Sequence, residues 1–155
     1  SLEIIKELRK YGANVFVIMT KNSTNFITPL TFKTISKNRV FTDMFDTKDF
    51  NVKHIDLANL ADLILVAPAT ANIIGKIANG IADDLLTNVI MASKKPVVMG
   101  PAMNTNMWEN PIVQNNVSKL KKLKYHIIAT IILGIGITVK NMAARFIPAY
   151  LIAIL

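Results

Sequence analysis

Cysteine is absent from all 155 residues. That absence excludes a disulfide framework, a thiolate metal site and a cysteine nucleophile. Histidine is scarce as well. His54 and His126 are the only two, far apart and without ligand spacing, so no metal is expected. No secretory signal opens the chain, and with the missing disulfides this predicts a cytoplasmic protein. No initiator Met precedes Ser1, so the beginning is expected to be incomplete. Acidic residues are outnumbered 10 to 18, a net charge of +8 that suits an anionic partner without choosing one. The densest basic run, Lys119, Lys121, Lys122 and Lys124, reads as the solvated face of a helix. Without aromatic interleaving or a nucleic-acid module, no nucleic-acid partner is expected. The long apolar run IIATIILGIGITV (127–139) has 13 residues, short of the ~20 that a membrane span requires.

What is present is one domain's worth of chain, residues 1–155, with 52% hydrophobic and 18% charged residues, enough for a real core. LEIIKELRKYG (2–12) carries apolar residues at Leu2, Ile4, Ile5 and Leu8 and ends on Gly12, the pattern of a short amphipathic helix. NVFVIMT (14–20), LILVAP (63–68) and PVVMG (96–100) are continuous apolar runs of strand length, as in strands buried on both faces. HIDLANLA (54–61), ANIIGKIANG (71–80), ADDLLTNVIMAS (82–93) and NPIVQNNVSKLKKL (110–123) read as helices, the last with Pro111 in its first turn. The stretch PLTFKTISKNRVFTDMF reads as irregular. Alternation of this kind predicts an α/β fold, a doubly wound and mostly parallel sheet with helices on both faces. Such a sheet rarely begins with a helix, so a strand before residue 2 is expected and is missing from the sequence.

The unusual residues follow the strands. MTKNST (19–24), VAPATAN (66–72) and GPAMNTN (100–106) each begin where a strand run ends. In open parallel sheets ligands sit beyond the carboxyl ends of the strands, so the three loops should face one crevice. Thr20 and Ser23 can offer hydroxyls to a phosphate, or can simply cap the next segment. Ala67, Pro68, Ala69 and Thr70 are small enough to let a planar ring approach the backbone, or form a tight turn before a capped helix. Asn104 can anchor a carboxylate or amide, or close an Asx turn. Met103, Met107 and Trp108 read by default as core. His54, at a helix start, is either structural or the best available acid or base, since an unperturbed imidazole titrates near ~6.5. Asp83 and Asp84 open a helix, where carboxylates favour the dipole, and for at least one of them that role suffices.

The stretches VIMTKNSTNFITPLTF, HIDLA, LVAPATANIIGKIANGIADDLLT and PAMNTNMWENP, in this order, resemble the flavin-containing cysteine decarboxylases. They most resemble the phosphopantothenoylcysteine decarboxylases of coenzyme A biosynthesis, over about residues 2–125. The resemblance implies an α/β Rossmann-like flavoprotein holding FMN, with Thr20 and Ser23 near the phosphate, Ala67 to Thr70 along the flavin and Ala102 beside it. His54 matches the family's active-site histidine, and Asn104 the asparagine that holds the substrate carboxylate, with Met103 beside it. The implied reaction oxidises the substrate's cysteine moiety to a thioaldehyde. It then loses CO2 and is reduced to 4'-phosphopantetheine. The resemblance also implies a homotrimer or higher homo-oligomer in which His54 serves a neighbour's flavin.

Two departures stand out. The family's opening strand and its Gly/Ser-rich phosphate loop have no counterpart. The family's substrate clamp carries a protonating cysteine, whereas the corresponding ATIILGIGITVKNMAARF has none, only Lys140 to Ala143 matching the clamp's end. The tail from Ile127 to Leu155 is read as a core strand followed by a helix packed on the body or on another subunit, with a membrane-surface segment as the weaker alternative. Two rival functions remain open. One is a peptidyl-cysteine oxidative decarboxylase that stops after oxidation; the other is a non-catalytic interaction protein of the same fold.

Overall fold

A computed structural model describes residues 2–44 and 54–128, and the strand backbone at 150–154. Helix α1 (Leu2–Lys10) precedes strand β1 (Asn14–Ile18), and a short 3-10 turn (Ser23–Asn25) leads into α2 (Pro29–Ser36) and β2 (Val40–Phe41). Then come α3 (His54–Leu60), β3 (Leu63–Ala69), α4 (Ala71–Ala78), α5 (Leu85–Ala92) and β4 (Val97–Pro101). The small α6 (Thr105–Glu109), α7 (Pro111–Lys122), β5 (His126–Ile127) and β6 (Tyr150–Ile154) complete the described elements.

The strands form one sheet in the order β2-β1-β6-β3-β4-β5, with every pairing parallel. Alternating side chains divide the interior into two cores. From β3, Leu63, Leu65 and Ala67 join Ile4, Ile5 and Leu8 of α1 and Phe32 of α2 on one face. Ile64 and Val66 join Leu57 of α3, Ile74 and Ile77 of α4, Val89 and Ile90 of α5 and Leu120 of α7 on the other. A strand buried on both faces must be apolar throughout, which is why β3 lacks polar alternation. Truncating Ile64 to Ala at this fully buried position should cost about 2–5 kcal/mol. The doubly wound parallel sheet is therefore the observed architecture.

Helix boundaries follow local chemistry. Thr70 caps α4, its side chain accepting from the Ile73 N–H. Asp84 and Thr87 form a reciprocal capping box at the start of α5. Asn110 caps α7, with Pro111 at the first helical position, where its missing N–H costs nothing.

Three local readings are corrected. PLTFKTIS is helical rather than irregular: Pro29 presets its first turn, and Lys37 ends it in the left-handed region at φ 60°. The Thr105–Glu109 helix inside the third loop, capped by Asn104, was not visible as periodicity because one and a half turns show none. At the chain's far end, YLIAI is a strand where a helix was expected, since an apolar run this short carries no period that separates the two. β6 pairs with β1 (Phe16 opposite Ile152) and with β3 (Leu65 opposite Ala153). It thus occupies the middle of the sheet. The rest of the tail, including Lys140 to Ala143, lies outside the described residues. Among the described residues no helix is long and apolar enough to cross a membrane.

Candidate active site

All strands run the same way, so the loops after β1, β3 and β4 emerge at one edge of the sheet. Between the first two lies a cleft of about 640 Å³, within the usual range for a small-molecule site. Its polar wall holds Thr20, Lys21, Asn22, Ser23, Thr70 and Asn72, and its apolar wall Phe26, Ile27, Phe32, Pro68 and Ile73. Lys76, Asp83 and Asp84 close the remaining side. A second hollow of about 480 Å³ adjoins it and shares Thr20, Lys21, Asp83 and Asp84 as a common partition.

The hydroxyls are already partly used. Ser23 donates its hydroxyl proton to the Thr20 carbonyl at 2.7 Å, and its N–H also reaches Thr20 Oγ1 at 3.2 Å. The capping role is thus realised, but unequally. Thr20 only accepts in these bonds, leaving its own proton to donate, whereas Ser23 Oγ can now only accept. Thr70 Oγ1 likewise accepts from Ile73 N–H at 3.4 Å and keeps its proton. Of the four residues read as the flavin-side loop, Pro68 and Thr70 line the cleft. Ala67 and Ala69 are buried, one in each core. A bulge between Val66 and Ala69 turns Pro68 outward.

The third loop is tied to the second by the Ala102 N–H, which donates to the Ala69 carbonyl at 3.2 Å. Asn104 is exposed, and its Oδ1 accepts from the Asn106 N–H at 2.9 Å. The Asx turn is therefore real, and it leaves the side-chain NH2 outward as a donor. Met103 and Trp108 pack against the core as expected, but Met107 is 50% exposed. His54 begins α3 and is half-buried. Ala102, Met103, Asn104 and His54 line neither hollow.

Sequence reasoning did not single out Lys21, Asn72 or Lys76. The first two stand within three residues of a named loop residue, and that proximity was the available signal. Lys76 Nζ donates to Asp83 at 2.7 Å and to Asp84 at 3.2 Å. Hydrogen bonding to Asp83 raises its pKa despite partial desolvation, and the same bond holds the Asp83 carboxyl below its ordinary value.

A protein-family model described as Flavoprotein matches residues 1–145. The chain belongs to that family. This flavoprotein is 52% identical over 128 residues to the coenzyme A biosynthesis bifunctional protein CoaBC of Borreliella burgdorferi, covering 83% of this chain and 33% of that protein. It thus spans about a third of the bifunctional relatives' length. It is 44% identical to a probable phosphopantothenoylcysteine decarboxylase of Streptococcus mutans, over 79% of this chain and 70% of that one. Among solved structures, the peptidyl-cysteine decarboxylase EpiD superposes with a TM-score of 0.74 and 34% identity, covering 83% of this flavoprotein and 76% of EpiD. A cysteine-to-serine variant of PPC decarboxylase in complex with pantothenoylaminoethenethiol gives 0.65 and 32%, again over 83% and 76%. The FMN-dependent cysteine decarboxylase TvaF gives 0.75 and 26%, over 93% of each chain.

Proposed function

We propose that this chain is an FMN-dependent decarboxylase domain that converts 4'-phosphopantothenoylcysteine to 4'-phosphopantetheine in coenzyme A biosynthesis. The observation that carries the reading is the hydrogen bond from Ala102 to Ala69. It holds the PAMNTNMW loop against the loop lining the cleft, beside a chamber of cofactor size. The residues fit FMN. Phe26, Phe32, Pro68 and Ile73 offer an apolar wall to a ring, while Thr20, Lys21 and Asn22 offer donors to its phosphate.

The bound flavin would supply the oxidation of the substrate's cysteine moiety, after which CO2 loss is eased because the electron pair is delocalised onto sulfur. The protein's share is placement and proton handling. Thr20 donates its uncommitted hydroxyl proton to the phosphate, with Ser23 holding the Thr20 turn. Pro68 and Thr70 would flank the ring, over a backbone fixed by buried Ala67 and Ala69, and Ala102, outside the cleft lining, would serve the cofactor by tying its loop to Ala69. Asn104, with Met103 beside it, uses its free NH2 to orient the substrate carboxylate. His54 moves the proton, and in this reading it does so at a neighbouring subunit's flavin, as the resemblance to the family implies. A homotrimer or higher homo-oligomer follows. Exposed Phe26, Leu30, Met107 and Ile112 are apolar surface that such contacts would cover. A cytoplasmic setting accompanies the biosynthetic role.

An absorbance spectrum before and after anaerobic addition of 4'-phosphopantothenoylcysteine tests the proposal. A flavin spectrum that bleaches supports it; a protein that takes up no FMN sinks it. The second reading, oxidation that stops at an enethiol, is favoured by one observation: no cysteine exists anywhere in the sequence to protonate the later intermediate. Mass spectrometry of the product separates the two.

A further inference from the structure

A third hollow, of about 400 Å³, opens at the edge of the sheet opposite the cleft, where β4 and β5 begin. The five residues of β4 put roughly 13 Å between it and the PAMNTNMW loop. Lys94, Lys95, Lys124 and His126 line it, and no carboxylate does. Two hydrogen-bonded turns carry these residues. Between α5 and β4, Ser93 Oγ accepts from the Lys95 N–H at 3.1 Å. Between α7 and β5, the Lys124 N–H donates to the Lys121 carbonyl and the Tyr125 N–H to the Leu120 carbonyl, both at 3.0 Å. This is a Schellman closure whose left-handed residue, at φ 66°, is Lys124 rather than a glycine.

Lysines that follow a helix have an ordinary use, which is to answer the roughly half-unit negative charge of the helix end. That use accounts for only part of this set. Lys119, Lys121 and Lys122, in the last turn of α7, already answer that helix. α5 has no basic residue in its last turn, so Lys94 serves it. Lys95 lies 3.9 Å from Asp62. The Lys94 and Lys124 ammonium groups and the His126 ring have no hydrogen-bond or ion-pair partner among the described residues. An excess of roughly one and a half positive charges therefore remains at the hollow.

We propose that this hollow is a second ligand site that takes a polyphosphate, Lys94 and Lys124 gripping the row of phosphates from two separate turns while the His126 N–H donates to it. Cations on two fixed turns suit an anion whose own charge is spread along its length. Half-buried Tyr125 and exposed Leu123 line the same hollow and offer a surface to a nucleoside at one end of that row. The site owes nothing to flavin chemistry, and it and the proposed function can fail separately.

Calorimetric titration with sodium tripolyphosphate and with ATP, in excess FMN so that the cleft is not the site read, tests the proposal. Lys124→Gly suits the left-handed backbone, so this variant should melt no lower than the parent and yet bind roughly 5- to 10-fold more weakly. Lys94→Gln should weaken binding to a similar degree. Lys121→Gln, the same loss of charge outside the hollow, should leave the affinity within about twofold. Tighter binding of ATP than of tripolyphosphate assigns a nucleotide, and equal or weaker binding of ATP assigns the phosphate chain alone; either supports the site. No saturable binding of either probe, or a Lys124→Gly variant of full affinity, overturns it. An equal loss in Lys121→Gln and Lys124→Gly also overturns it, because the affinity would then belong to the surface charge as a whole.

Discussion

Asp83 and Asp84 are sequence neighbours that share Lys76, yet they do different work. Asp84 also caps α5 and exchanges hydrogen bonds with buried Thr87. Asp84→Ala should therefore cost about 1–2 kcal/mol in urea denaturation, and Asp83→Ala clearly less. Their pH dependence has a definite sign. The folded pKa of Asp83 is depressed, so its contribution is present above the usual value near 3.8 and is lost as pH falls through the lower folded value. Lys76 is raised, so its contribution is complete below about 10.5 and is lost as pH rises beyond that. Stability from this cluster should be flat from pH 5 to 9. An NMR titration of the Asp83 carboxyl should show a midpoint below that of a free aspartate, moving up in Lys76→Met. Asn104 offers a cleaner separation of cap from chemistry. Asn104→Asp keeps a good N-cap, so the melting temperature should hold. It places a negative charge where the proposed reaction needs a carboxylate anchor, so KM should rise at least tenfold in steady-state assays.

At the scale of elements, α4 and the turn after it give a pair of glycines with opposite expectations. A Cβ on Gly75 would meet nothing closer than 3.8 Å, an ordinary contact with Asn116 Nδ2. Gly75→Ala should gain about 0.5–1 kcal/mol of helix propensity, or roughly 1–4 °C in melting temperature for a chain this size. Gly80 has open space around it but sits at φ 70°, so Gly80→Ala should lower the melting temperature by a similar amount. Elements were legible in the sequence where burial spoke loudly. The runs around Val15, Leu65 and Val98 had to be strands, and Thr70, Asp84 and Pro111 marked helix starts. Thr28-Pro29 marked one equally well, but the polar residues around it hid α2. That the three loops leave the sheet at one edge was also readable, because parallel strands leave no other edge for them; that only the first two line the cleft was not. The hydrogen-bond state of Thr20 and Ser23 was not. Which hydroxyl keeps its proton depends on turn geometry that residue type leaves undetermined. Nor could spacing show that Ala67 and Ala69 point into two different cores, since the bulge at Pro68 sets that.

For the molecule as a whole, β6 matters most. With β1 on one side and β3 on the other, it joins the two halves of the sheet. Proline at Ile152, a residue opposed on both flanks by Phe16 and Ile64, removes a ladder donor from the centre and should leave the protein unfolded by circular dichroism. In native-state hydrogen exchange the amides of β6 should be protected as strongly as those of β3, and far more than those of β2 at the margin. If β6 exchanged early, the sheet would be held by other means.

The register of Asn14 against Tyr150 also sets a timetable. Paired residues 136 positions apart cannot meet until nearly all of this sequence has left the ribosome. Until then neither β1 nor β3 has β6 as its partner, and an unpaired strand edge is open to other strands. The helices and half-sheets of this sequence can thus form early, but the pairings that β6 makes with both halves come late.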